Sequence, residues 1–109
     1  MELINIGDAM ARLNNNKKLY MRLLKTFNGD DMLDDLLDKI QSGDVAAAEA
    51  SAHTLKGVAA NLSLADLRAN AEAIDVQLKA GDINIDASKI KISVSQTKEA
   101  IADWIAANS

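Results

Sequence analysis

No proline occurs anywhere in the 109 residues of this chain. Proline removes a backbone donor and breaks helix interiors, so only glycines, capping residues and polar runs divide the helices here. Apolar residues recur at intervals of three and four along nearly the whole sequence, and alternation is almost absent. A short first helix starts at Asn5 or at Gly7-Asp8, carries Ala9, Met10 and Leu13 on its apolar stripe, and is broken by Asn14-Asn15-Asn16. The second carries Leu19, Tyr20, Leu23, Leu24 and Phe27, is interrupted or kinked at Asn28-Gly29-Asp30, and resumes through Leu33, Leu36, Leu37 and Ile40 to Ser42-Gly43. Asp44 caps a third helix from Val45 to about Leu62. A fourth carries Leu67, Ala71, Ile74 and Leu78 and stops at Gly81; the last starts near Asp86 or Ser88 and carries Ile90, Val94, Thr97, Ile101, Trp104 and Ile105. Ile83 and Ile85 alternate with polar residues over too short a stretch for a sheet. Four long helices on short connections predict an all-α, up-down antiparallel four-helix bundle, with the short N-terminal helix as a lid. No linker or repeat divides residues 1–109, which read as a single domain.

Composition then removes whole classes of function. With no Cys there is no disulfide framework, Cys-ligated zinc, iron–sulfur cluster or thiol nucleophile. The single His excludes a His-rich zinc site and any histidine pair. Sixteen acids against 12 bases give a net charge of −4, which argues against nucleic acid or an anionic membrane as partner. No run approaches the roughly 20 apolar residues of a membrane span. The N-terminus has no basic region followed by an apolar run, and the expected location is the cytoplasm. Asp30, Asp31, Asp34, Asp35 and Asp38 lie early in their helical segment, where the helix dipole favours negative charge. They read as a solvated helix face.

The third helix is unusual. At 100° per residue, Ala48, Ser51, Ala52, Leu55, Val58, Ala59 and Leu62 share its core side. The opposite side holds Ala46, Ala50, His53, Gly57 and Ala60, flanked by Glu49 and Lys56. An exposed helix face ordinarily carries long charged side chains, whereas this one offers methyl groups, a bare glycine and one imidazole. Gly57 costs about 1 kcal/mol relative to Ala in a helix interior, and packing on the core side does not explain it. Clearance does: small residues a turn either side of His53 leave the ring open to a partner's surface, and Lys56 projects its ammonium over that surface. A docking groove for another helix would account for the alanines and leave Gly57 unexplained.

If the third and fourth helices form a hairpin turning near Ser63-Leu64, His53 and Asp75 stand at equal height, eleven residues either side of Leu64. Asp75 is then placed to bond one ring nitrogen and fix the tautomer. Spacing leaves equally open that Asp75 is an ordinary exposed helix residue.

The segment Ala52-His53-Thr54-Leu55-Lys56-Gly57, continuing as Val58-Ala59-Ala60-Asn61-Leu62, resembles the phosphoacceptor motif of the histidine-containing phosphotransfer (HPt) domains of two-component phosphorelays. Tyr20 to Phe27, Gly43-Asp44 with the Ala-rich stretch after it, and the Leu67 to Leu78 pattern extend the resemblance over nearly the whole chain. The resemblance implies that His53 accepts and donates a phosphoryl group, that Lys56 binds or neutralises it, and that Gly57 keeps the approach open. Asp75 stands where the family often has Glu or Gln against the other imidazole nitrogen, and is one methylene shorter. Ser63 stands where the family usually has Gly. The partner-facing surface is expected over Glu49, Ala50, Lys56, Gly57, Ala60 and Asn61, and the partners are a response-regulator receiver domain, a hybrid histidine kinase, or both. No metal or cofactor is expected on this chain; Mg²⁺ is expected on the partner receiver. There is no Gly-rich nucleotide loop, so the expectation is a monomeric phosphocarrier and not an enzyme. A helical adaptor that binds a partner through the same Ala/Gly face without phosphate is the alternative. A hydrolase or metalloenzyme would need polar or metal-binding side chains where the alanines and Gly57 stand.

Overall fold

The structure is a computed structural model that describes residues 2–109. It contains six helices: α1 (Ile6–Arg12), α2 (Lys17–Leu24), α3 (Gly29–Gln41), α4 (Val45–Asn61), α5 (Ala65–Lys79) and α6 (Ser88–Asn108), with no strand among the described residues. Helix α4 packs between α3 and α5, and α6 packs on both α5 and α3, which closes the ring of four. Three-residue turns join α3 to α4 and α4 to α5, short enough to make these neighbours antiparallel. The result is a prism of 42 × 22 × 21 Å. Its tightest pairing is α4 on α5, where Ala48, Ala52, Ala59 and Ala71 are fully buried and let the backbones approach. Leu36, Leu55, Leu64, Leu67, Leu78, Ile90 and Val94 fill the rest of the core.

The helix starts follow local chemistry. The side chains of Asn5, Asn16 and Asp44 each accept a first-turn backbone N–H at 3.0 Å, from Asp8, Leu19 and Ala47. Asn14 and Asn15 adopt φ of 54° and 60°, a left-handed conformation that asparagine tolerates better than most residues, and so end α1. Ile83 and Ile85 lie in the irregular segment before α6 and pack against the core, while the Gln77 amide ties that segment down through Asp82 Oδ2 and the Asn84 carbonyl, both at 2.9 Å.

One expectation is corrected. Of the interruption or kink expected at Asn28-Gly29-Asp30 the structure takes the interruption, giving α2 and α3 as separate helices, so that two short helices precede the bundle instead of one. Gly29, the first residue of α3, is buried. A Cβ there would stand 2.6 Å from the Phe27 ring and 3.2 Å from Val94 Cγ1. The chain thus folds Phe27 back over Gly29 against α6, and a continuous helix is lost to that packing. An ion pair between Lys98 and Asp30 ties α6 to the start of α3, and Ser51 of α4 donates to Asp35 of α3 at 2.5 Å.

Helices α1 and α2 clamp the turn that ends α4. Arg12 Nη2 reaches the carbonyls of Ala60 and Asn61 at 3.1 and 2.9 Å and the Ser63 hydroxyl at 2.6 Å. Ser63 donates in turn to Asp8 at 2.7 Å, and its carbonyl accepts from the Asn5 N–H at 2.9 Å. Ser63 has φ of 58°, which costs a residue with a Cβ about 1–2 kcal/mol. Two side-chain hydrogen bonds offset that strain, so serine serves where glycine would be easier.

Tyr20 completes the clamp. Its hydroxyl donates to the Leu62 carbonyl at 2.5 Å, and its ring meets Trp104 edge-on at 5.2 Å between centroids. Burial, which outweighs the pull of the Arg12 guanidinium and is helped least by Asp8, raises its pKa from 10.0 to about 12. The folded state therefore holds the phenolic proton more tightly than the unfolded state does. The stabilisation is complete below pH 10 and is lost as pH rises towards 12. Tyr20 is the only tyrosine, so absorbance at 295 nm should show one phenol ionising near 12, and urea midpoints should fall between pH 10 and 12. A midpoint near 10 in folded protein would show that the ring is not held this way.

Candidate functional site

The bundle exposes one side of α4. Ala48, Ala52, Leu55, Ala59 and Leu62 are buried, and Ser51 and Val58 half-buried, on its inner side. Ala46, Ala50, His53, Gly57 and Asn61 are exposed, with Glu49 and Lys56 half-buried at the flanks. Ala60 is also half-buried, because Arg12 folds over the carbonyls at this end of the helix. Beyond its chain neighbours and the backbone of its own helix, no described heavy atom stands within 4 Å of the place a Cβ on Gly57 would occupy. The glycine is thus required neither by the chain's own packing nor by its backbone angles.

The His53 side chain is 66% exposed, and Nδ1 lies 3.9 Å from Asp75 Oδ2. Asp75 is buried at 1% exposure, so it is no ordinary surface position. It faces His53 across the α4–α5 hairpin at the height the symmetric spacing predicts. The separation exceeds a hydrogen bond, in keeping with a side chain one methylene short. The same oxygen is met by Lys79 Nζ at 3.2 Å and Lys56 Nζ at 3.4 Å. Burial pushes the Asp75 carboxyl up, but the ammonium groups of Lys79 and Lys56 together outweigh it and hold the pKa below the usual carboxylate range. Oδ1 of Asp75 is buried with no partner.

Two details differ from the sequence expectation. The Lys56 side chain is only 25% exposed and folds onto Asp75 instead of standing over the helix face. Lys79 belongs to the cluster and was missed, although its place four residues after Asp75 on one helix is the spacing at which opposite charges pair. The surroundings of His53 are electrically lopsided: towards α5 lie the two lysines, and towards α3 lies a shallow groove lined by Asp31, Asp35, Ala50, Ser51 and Thr54 among others. Among the described residues no group of three His, Asp or Glu side chains is placed to hold a metal ion. No described helix is long and apolar enough to cross a membrane.

An all-helical bundle that lifts one imidazole onto a cleared helix face, above a carboxylate–lysine cluster, defines a class of helical module with a single exposed histidine. The class has a family: a family model described as Hpt domain matches residues 26–107, which hold the four-helix ring except the last residue of α6, and every residue of the His53 cluster. The chain belongs to the Hpt domain family. No curated protein and no solved structure matches it. Hpt domains serve histidine phosphotransfer in phosphorelays, interact there with receiver domains and kinases, and are phosphocarriers without an ATP site of their own.

Proposed function

We propose that the chain, acting as one monomeric unit in the cytoplasm, carries a phosphoryl group on His53 between a receiver-domain aspartate, or a kinase, and a further receiver. The observation that carries this reading is the open imidazole: exposed, with only Asp75 near its Nδ1 and empty space over Gly57. With Nδ1 turned towards Asp75, Nε2 is the outward nitrogen, and its lone pair is the nucleophile.

The step balances without a base. The Nε2 lone pair forms the P–N bond as the P–O bond of the acyl phosphate breaks, and the receiver's aspartate leaves as a carboxylate. Nδ1 keeps its proton, so the product is a phosphoimidazolium whose ring charge faces the Asp75 carboxylate. In the reverse direction that protonated ring is the better leaving group. The transition state is loose, so position and charge stabilisation supply most of the rate. Here α4 positions Nε2, Lys56 supplies positive charge, and Glu49, Ala50, Gly57, Ala60 and Asn61 form the surface on which the partner rests. Mg²⁺ belongs to the receiver's acidic pocket in this scheme.

The test is incubation with a receiver phosphorylated on its aspartate, with Mg²⁺ present. The expected product is an acid-labile, base-stable label on this chain, mapped to His53 by peptide mass. Absence of label with every receiver of the same cell overturns the proposal.

A further inference from the structure

Lys79 has no part in the His53 motif, yet it makes the shortest contact in the cluster. Three nitrogens converge within 3.9 Å of the single oxygen Oδ2 of Asp75: Lys79 Nζ, Lys56 Nζ and His53 Nδ1. One ammonium already balances one buried carboxylate, and the half-buried Lys56 supplies it. The second leaves a surplus positive charge on the oxygen that lies 3.9 Å from the imidazole. Its side chain is 54% exposed on a flexible four-carbon stem, free to turn outward. The other Asp75 oxygen is buried and empty, so the carboxylate still has room for a donor.

Resting on the phosphocarrier reading, we infer that Lys79 is a second phosphoryl-binding cation, stored on Asp75 while His53 is bare and transferred to the phosphoryl group once it arrives. A phosphoryl group brings about two negative charges, more than one ammonium neutralises. When Lys79 turns to meet it, Asp75 loses a partner, and the protonated Nδ1 of the phosphoimidazolium takes that place by closing the 3.9 Å gap. The carboxylate thus exchanges a lysine for the ring proton, and the ring is held in its phosphorylated tautomer.

The test uses phosphoramidate, a small phosphodonor that needs no receiver, and follows the phosphohistidine by ³¹P NMR as pH is varied. A cation bound to the phosphoryl group also lowers the proton affinity of the ring that carries it, and the ³¹P shift reports that ring's ionisation. Lys79→Gln should therefore raise the ring pKa of the phosphohistidine by about half a pH unit, roughly threefold in proton affinity for a partly exposed ion pair. Lys79→Arg should restore the wild-type titration, and Lys91→Gln, exposed on α6, which makes no contact with α4, should not move it. Thermal unfolding of each variant checks the fold. A merely structural lysine would change the melting temperature and leave the ³¹P titration alone, and identical titrations of wild type and Lys79→Gln overturn the inference. If phosphoramidate labels His53 and the lysine effect is present but no receiver transfers to it, the phosphorelay reading fails and the role of Lys79 stands. If phosphoramidate leaves His53 unlabelled, the inference falls as well.

Discussion

His53→Gln should abolish the transferred label completely and leave the fold intact. Glutamine offers an amide nitrogen whose lone pair is delocalised, so it cannot form the P–N bond, while its length and polarity approximate the imidazole. The fold should hardly register the change: His53 is 66% exposed and lies beyond hydrogen-bond distance of its nearest charged neighbour, Asp75. Glutamine is also a better helix former than histidine. Surface substitutions of this kind stay within about 0.5 kcal/mol, so the melting temperature by circular dichroism should stay within about 3 °C of wild type. The same variant decides between a carrier and an adaptor. An adaptor that uses only the Ala/Gly face keeps its partner and its signal when His53 becomes Gln; a carrier keeps its partner and relays nothing. Normal relay by His53→Gln would sink the phosphocarrier reading.

What was legible in the sequence was what local chemistry decides. Asn5, Asp44 and the Asn14-Asn15-Asn16 triplet mark helix boundaries through their own side chains, and the structure uses them as caps or left-handed residues. The core stripe of α4 was legible because helical periodicity is a property of the helix alone. The level of Asp75 opposite His53 followed from hairpin symmetry, which depends only on where the chain turns. Contacts between distant residues were not legible. A break at Asn28-Gly29-Asp30 was legible, but that it is a full split into α2 and α3 and not a kink depends on Val94 of α6 standing against Gly29. The left-handed Ser63 is affordable only because Arg12 and Asp8 come within reach of its hydroxyl, and nothing near Ser63 in sequence announces them. The site shows the same division. The imidazole and its clearance come from one helix and were readable, whereas the way Asp75 divides its oxygen between two lysines depends on how α4 and α5 pack side by side.

Gly57→Ala should make the protein more stable and less active at once. In an exposed helix interior the change is worth about 1 kcal/mol in favour of alanine. Nothing within 4 Å of the new Cβ opposes it, so the melting temperature should rise by about 4–8 °C for a domain of this size. Residues four apart share a helix face, so the added methyl group stands one turn from His53 on the side where the partner must settle. In-line attack needs the reacting atoms about 3–3.5 Å apart, and a misplacement near 1 Å costs about 100-fold. A methyl group that displaces the partner by a fraction of that should slow transfer about tenfold, and Gly57→Leu should slow it 100-fold or more. Single-turnover transfer from a phosphorylated receiver, set beside the melting curves, separates the two effects. If the glycine served the helix itself, alanine would lower the melting temperature or leave the rate untouched, and clearance would lose its support. Opposite signs for stability and rate are what a position kept bare for a partner requires, because the free chain gains from every atom added there and only the complex loses.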